Sequence, residues 1–329
     1  MSVLDRAYQK AREQLIPLAV HFDLTYRCHQ RCVHCYIPES WRRGEGPGPE
    51  LTTVQVKNIL DQLAAAGAFF LTFSGGEMFL RPDILPILEH ARNLNFSISL
   101  LSSGTVGLDE EQVEALADIG LAHLLFSMYS VDPAVHDRIT GVPGSCAKLI
   151  RTIKACRARD LQVVLNCFIF RHNHNGIMTL KEFANQHELH LRLSYDFSPS
   201  WDGKPAPADL LMGEEEIRRL IESQVLREKK EPLENITTFS QVEDQGCAAG
   251  SGLCYISPQG EVWPCVEVRL RAGYLSQQQD FSRIWEGADA LKWVRQIKTG
   301  PAADTRLCDY YREKGQQDWH LYLKNKGEA

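Results

Sequence analysis

At 329 residues, 44% of them hydrophobic and 24% charged, the chain is long enough to bury a full core and has the composition of an ordinary globular protein. Its formal charge of -6 lacks the basic face that broad nucleic-acid or anionic-membrane binding requires, and its longest apolar run, near residues 63–73, is too short to span a bilayer. Ten cysteines without a visible signal peptide point to a reducing, cytoplasmic setting, where clustered thiols are metal ligands rather than disulfides.

Residues 2–15 read as a short amphipathic helix, and residues 18–25 alternate apolar and polar as a strand does. Directly afterwards comes Cys-His-Gln-Arg-Cys-Val-His-Cys-Tyr, with thiols at Cys28, Cys32 and Cys35. Three thiolates are one short of the four that normally hold a four-iron cluster, and a metal site with a vacant position is where something reactive binds. A zinc site or three unrelated thiols is the other reading of these residues alone. The glycine-, proline- and arginine-rich stretch 37–50 has the length of a flexible lid, Arg42 and Arg43 included.

Thr52 with Gln55 predicts a capping box, Ile59, Leu60 and Leu63 an apolar helix face, and Gly67 a stop. Strand 69–73 then runs into Ser74-Gly75-Gly76-Glu77, where a glycine pair exposes backbone and Glu77 offers a carboxylate. The beat repeats with helices from Asp83, Asp109, about Ser145 and about Met178, and strands 96–101, 122–127, 161–170 and 189–197. Six strands alternating with helices predict an α/β fold, a partial (β/α)6 TIM-like barrel with its active groups at the carboxyl ends of the strands. Arg171, His172 and His174 read as a solvated loop at the mouth, and Asp196 as a mouth-lining group.

Residues 201–235 are polar, with a helix at 214–225 and a charged run at 227–231, so the boundary is set at 235/236: residues 1–235 form the barrel and linker, 236–329 a second unit. That unit holds Cys247, Cys254, Cys265 and Cys308. The turn Pro258-Gln259-Gly260 between strands 255–257 and 261–266 predicts a hairpin bringing Cys254 and Cys265 together, and four thiols make a closed cluster or a structural zinc site. Cys146 and Cys156 read as core packing, and alternation from Asn166 points Cys167 away from the barrel interior.

The cysteine motif after the first strand, joined to Gly75-Gly76-Glu77 at the end of the second, resembles the radical S-adenosylmethionine (AdoMet) superfamily. The carboxy-terminal segment resembles its SPASM/twitch extension, and together the resemblance covers roughly residues 17–315. It implies a 4Fe-4S cluster on Cys28, Cys32 and Cys35 whose open iron takes AdoMet. Tyr36 and Gly75, Gly76 and Glu77, the last three at the AdoMet amino group, would bind that cofactor with Ser103 at the ribose, Ser127 and Asn166. One auxiliary 4Fe-4S cluster would sit on Cys247, Cys254, Cys265 and Cys308. Departures are Met78 for the usual proline, Thr140 for the usual arginine before Gly141, and Asp309-Tyr310-Tyr311 where a longer pattern has another cysteine, which leaves no ligands for a second auxiliary cluster.

The implied activity is reductive cleavage of AdoMet to a 5'-deoxyadenosyl radical that modifies a peptide or protein side chain, by cross-linking, thioether formation or epimerisation. A small molecule or a tetrapyrrole side chain is the alternative substrate. The implied partners are an electron donor such as flavodoxin or ferredoxin and, since no leader-binding domain precedes residue 18, a separate leader-peptide-binding protein. A non-catalytic iron-sulfur or zinc protein is the rival of another class, and it leaves Gly75 to Glu77 unexplained.

Overall fold

The computed structural model describes residues 3–194, 200–204, 207, 209–222, 247–275, 280–300, 306–315, 317–318 and 322–323. Six strands, β1 Ala19–Thr25, β2 Phe70–Gly75, β3 Ser97–Ser102, β4 His123–Ser127, β5 Val163–Phe168 and β6 His190–Ser194, pair in parallel, each with the next. Beyond β1 the sheet continues through β7 Leu253–Ile256, which is parallel to β1, and the antiparallel β8 Glu261–Trp263 and β9 Gly273–Tyr274. The order β6-β5-β4-β3-β2-β1-β7-β8-β9 thus makes one nine-stranded sheet. The expected α/β partial barrel is the fold observed, and the carboxy-terminal hairpin is built onto its first strand.

Local sequence explains several helix ends. Thr52 and Gln55 cap Thr53–Ala65 reciprocally, and Asp109 with Gln112 does the same for Glu110–Ile119, which stops at Gly120 in the left-handed region at φ 72°. In the barrel half two helices were not expected. Glu39–Arg42 lies inside the supposed lid, and Pro133–Thr140 begins on an Asp132 side chain that accepts from Ala134 N, with proline in its first turn. The fifth strand is shorter than expected, 163–168 instead of 161–170. Asp196, the end of the helix expected at 214–225 and the 235/236 boundary lie outside the described residues. No helix among the described residues is long and apolar enough to cross a membrane.

Alternation decides what each strand buries. Val20, Phe22 and Leu24 of β1 pack with Val56, Ile59, Leu60 and Leu63 of the covering helix, and Leu165 and Cys167 of β5 share that outer layer. The opposite face buries polar groups, His21, Asp23, Thr72, Ser74, Ser99 and His123, beside the apolar Leu125 and Val164. Cys167 does face the helices, and Cys146 and Cys156 are buried as packing groups.

His123 takes 3.5 Å from Ser99 Oγ to its Nδ1, and burial first, then His190 and Arg192, lower its pKa to about 4. An unfolded histidine protonates near pH 6.5, so this contribution to stability is complete above that pH and is lost as the pH falls toward 4, by about 3 kcal/mol. In anaerobic melts between pH 7 and 5, the midpoint of His123→Gln is expected to fall less steeply than that of the wild type; equal slopes would show that His123 titrates normally in the folded state.

Candidate functional site

The three amino-terminal thiols share one loop at the carboxyl end of β1, all reduced. That loop is pinned from several sides. Cys28 N donates to Arg42 O at 3.0 Å, Cys35 N to Cys32 O at 3.2 Å, and Arg31 N and Val33 N donate to Thr140 O and Ile139 O at 2.8 and 3.0 Å. The unexpected helix Pro133–Thr140 therefore satisfies its last carbonyls with the cysteine loop. Gly141, at φ 69°, is required at this junction: a Cβ there would come within 2.9 Å of Arg31 Cβ and 3.0 Å of its carbonyl oxygen.

Burial raises the pKa of all three thiols, Cys28 to about 12, while the Arg42 guanidinium works in the opposite direction on each. Left alone, such thiols hold their protons; a bound metal centre deprotonates its thiol ligands outright. Three reduced thiols on one loop, with the Arg42 cation acting on each, are a donor set that fits an iron-sulfur cluster. Among the described residues no three Cys, His, Asp or Glu side chains converge on a single metal-ion position.

Gly75 and Gly76 press against this loop. A Cβ on Gly75 would stand 2.2 Å from Thr25 O, and one on Gly76 would stand 2.3 Å from Arg27 O and 2.5 Å from Tyr26 O. The close approach lets Gly76 N and Glu77 N donate to Thr25 O and Arg27 O at 2.7 and 2.8 Å. Glu77 itself is fully buried. Its carboxylate accepts from Ser102 Oγ at 3.0 and 3.1 Å, from Ser103 N at 3.0 Å, from Ser103 Oγ and from Phe79 N at 3.3 Å. A carboxylate has about four lone-pair positions, so this one is occupied by the protein. Burial pushes its pKa up and those donors pull it back down.

Ser103 Oγ lies 3.0 Å from Thr105 Oγ1, which in turn is 2.7 Å from His29 Nε2 and 3.3 Å from Gln30 Nε2, and Cys32 Sγ is 3.2 Å from Gln30 Oε1. A polar chain thus runs from Glu77 to the cysteine loop. Ser127 and Asn166 are register partners at the ends of β4 and β5, both half-buried on the inner face. Ser127 hydrogen-bonds Tyr129, whose hydroxyl is 3.0 Å from His34 Nε2. Tyr36 packs on Trp201 at 4.8 Å between ring centres. Asp137 is a capping group: it accepts from Gly144 N, Cys146 N and Ser145 Oγ at the start of Ser145–Arg157. Arg171 and His172 pair with Glu216 and Asp209 at the surface.

In the carboxy-terminal unit Cys265 is buried within electrostatic reach of Cys247 and Cys308, and Lys298 lies near both Cys247 and Cys265. The structure does not bring Cys254 to them. On β7 it points, with Ile256, into the layer between sheet and helices, whereas Cys265 joins Leu253, Ala248 and Leu307 in a separate cluster. Period-two alternation puts Cys254 on the face opposite Leu253. The expected hairpin forms but does not unite the four thiols.

Sequence reading passed over two further groups. Asp23, fully buried, is 3.0 Å from His21 Nε2 and accepts from the Tyr255 hydroxyl at 2.8 Å, and Tyr255 is 3.1 Å from the Tyr26 hydroxyl. The inward position of Asp23 in an alternating strand was the available signal. The second is Arg269, whose guanidinium lies 5.5, 4.8 and 5.0 Å from the ring centres of Trp41, Trp201 and Trp263. It ties the segments after Cys35 and after β6 to β8, residues so far apart in sequence that nothing local marks them.

Comparison with known proteins matches residues 22–184 to the Radical SAM superfamily and 247–310 to SPASM, an iron-sulfur cluster-binding domain. The PqqA peptide cyclase of Xanthomonas oryzae pv. oryzae is 30% identical over 84% of this chain and 76% of its own. The AdoMet-dependent heme synthase of Methanosarcina barkeri is 27% identical over 85% of each. Among solved structures, Streptococcus suis SuiB bound to its precursor peptide SuiA superposes with a TM-score of 0.69 at 17% identity, over 88% of this chain and 70% of that one.

Three substitutions test the geometry. Gly76→Ala must displace the Thr25–Arg27 backbone, so anaerobically reconstituted protein is expected to lose about four of about eight irons. Cys265→Ala is expected to lose about four as well, and Cys254→Ala none; iron loss on replacing Cys254 would show that it joins the trio when metal binds.

Proposed function

The chain belongs to the radical AdoMet superfamily and carries a SPASM extension, and on that premise we propose that it modifies a peptide or protein side chain. The observation that carries this reading is the 30% identity to a PqqA peptide cyclase over most of both chains. A small molecule or tetrapyrrole side chain is the second reading, favoured by the heme synthase relative.

In this proposal Cys28, Cys32 and Cys35 hold the cluster at the mouth of the barrel. Bound there with AdoMet, the cluster would supply the one electron that breaks the sulfonium C–S bond, leaving methionine and a 5'-deoxyadenosyl radical. The chain's own work is to position the cofactor and exclude water. The carbonyls of Gly75 and Gly76, bare of side chains, meet the cofactor's ammonium. Glu77 acts mainly by holding the ends of β2 and β3 together. Ser103 meets the ribose, Ser127 and Asn166 face the cofactor from across the barrel, and Tyr36 closes the side toward Trp201. Cys247, Cys265 and Cys308 hold the auxiliary cluster, and with Cys254 on the far face its fourth position falls to another ligand.

The proposed setting is the cytoplasm, with a flavodoxin or ferredoxin as electron source and a separate protein to present a leader peptide. Residues 1–235 act as the barrel unit and 236–329 as the auxiliary-cluster unit. The test is anaerobic reconstitution with AdoMet and dithionite, followed by separate incubation with a short peptide encoded beside the gene and with a porphyrin precursor. Formation of 5'-deoxyadenosine and a mass change in the peptide are expected, and both should vanish when Cys28, Cys32 and Cys35 are replaced by alanine. A mass change confined to the porphyrin would reverse the order of the two readings.

A further inference from the structure

We infer that Arg42 is a positioning residue that raises the reduction potential of the cluster on Cys28, Cys32 and Cys35. The inference rests on the reading above that these three thiols hold iron. Arg42 ends the short helix Glu39–Arg42, and its carbonyl accepts the Cys28 amide at 3.0 Å. Its Nη1 donates to Gln30 O at 3.3 Å, which folds the guanidinium back over the cysteine loop. There its Nε is buried without a hydrogen-bond partner among the described residues.

The neighbouring guanidiniums are engaged differently. Arg43 and Arg31 pair with Glu39, and Arg31 also donates to Cys28 O and Gln30 O at 2.7 and 2.9 Å. Arg27 faces Glu50 at 3.6 Å and is half exposed. No carboxylate among the described residues forms an ion pair with Arg42, and all three thiols feel its charge. Glu77 acts against it at Cys28, and Asp23 at Cys35.

Net charge, hydrogen bonds to sulfur and solvent exposure set the potentials of such clusters. Adding an electron makes the cluster more negative, and a fixed cation close by in a poorly solvated site stabilises that reduced state. The unpartnered Nε–H is a donor available to the cluster's sulfur. The arginine that sequence alone assigns to a loose lid thereby belongs to the redox centre.

The test is an EPR-monitored redox titration of the reconstituted full chain without AdoMet, comparing wild type, Arg42→Met and Arg42→Lys. Arg42→Met is expected to move the midpoint of the amino-terminal cluster negative by about 59 mV or more, equivalent to a tenfold change in a one-electron equilibrium. Arg42→Lys, which keeps the charge, should stay within that interval, and the auxiliary cluster should not move in either variant. An unmoved midpoint in iron-replete Arg42→Met overturns the proposal. If Arg42→Met takes up no iron, Arg42→Lys decides: a retained midpoint supports the charge, and a negative shift of tenfold equivalence overturns it. Failure of the underlying reading looks different, because the triple cysteine-to-alanine variant would then keep the iron content of the wild type.

Discussion

Everything at the barrel mouth depends on a backbone-to-backbone approach that only glycine permits. The carbonyls of Thr25, Tyr26 and Arg27 occupy the space where side chains of residues 75 and 76 would begin. This contact prolongs the β1–β2 pairing past the last regular ladder position and brings the stem of the cysteine loop against the end of β2. The glycine pair thus has a packing role independent of any cofactor, and the ammonium-binding role proposed for its backbone is a second use of the same bareness.

Charge at the mouth is arranged by burial. Glu77 spends its oxygens on Ser102, Ser103 and Phe79, and Asp23 spends its own on His21 and Tyr255. Each carboxylate is locked to its neighbours, in keeping with the cost of leaving a buried charge unpaired. Arg42 is the exception, and the thiols are what it faces.

Much of this was legible in the sequence because the signals are local or periodic. The capping boxes at Thr52 and Asp109, the strand before Cys28 and the alternation that turns Cys167 outward all follow from residues within a few positions of each other. The helix Pro133–Thr140 was signalled by Asp132-Pro133 and Gly141, yet its purpose, to end against Arg31 and Val33, is a tertiary fact. Counting cysteines suggested a set of four in the carboxy-terminal unit, whereas strand alternation, applied to β7 as it was to β5, separates Cys254 from Leu253. Arg269 escaped notice, and Arg42 read as part of a flexible lid, because long cationic side chains act where they end, and sequence records only where they start.

The parallel pairing of β7 with β1 carries a consequence for biosynthesis. Val20 lies opposite Cys254, so β1 has a neighbour on each side only after the chain has grown past Ile256. Until then β1 is flanked on one side alone, with a row of unsatisfied amides and carbonyls open to other chains. Vectorial synthesis therefore holds the mouth-bearing strand at an unprotected margin until Leu253–Ile256 emerges, and that strand converts the margin into the interior of the sheet.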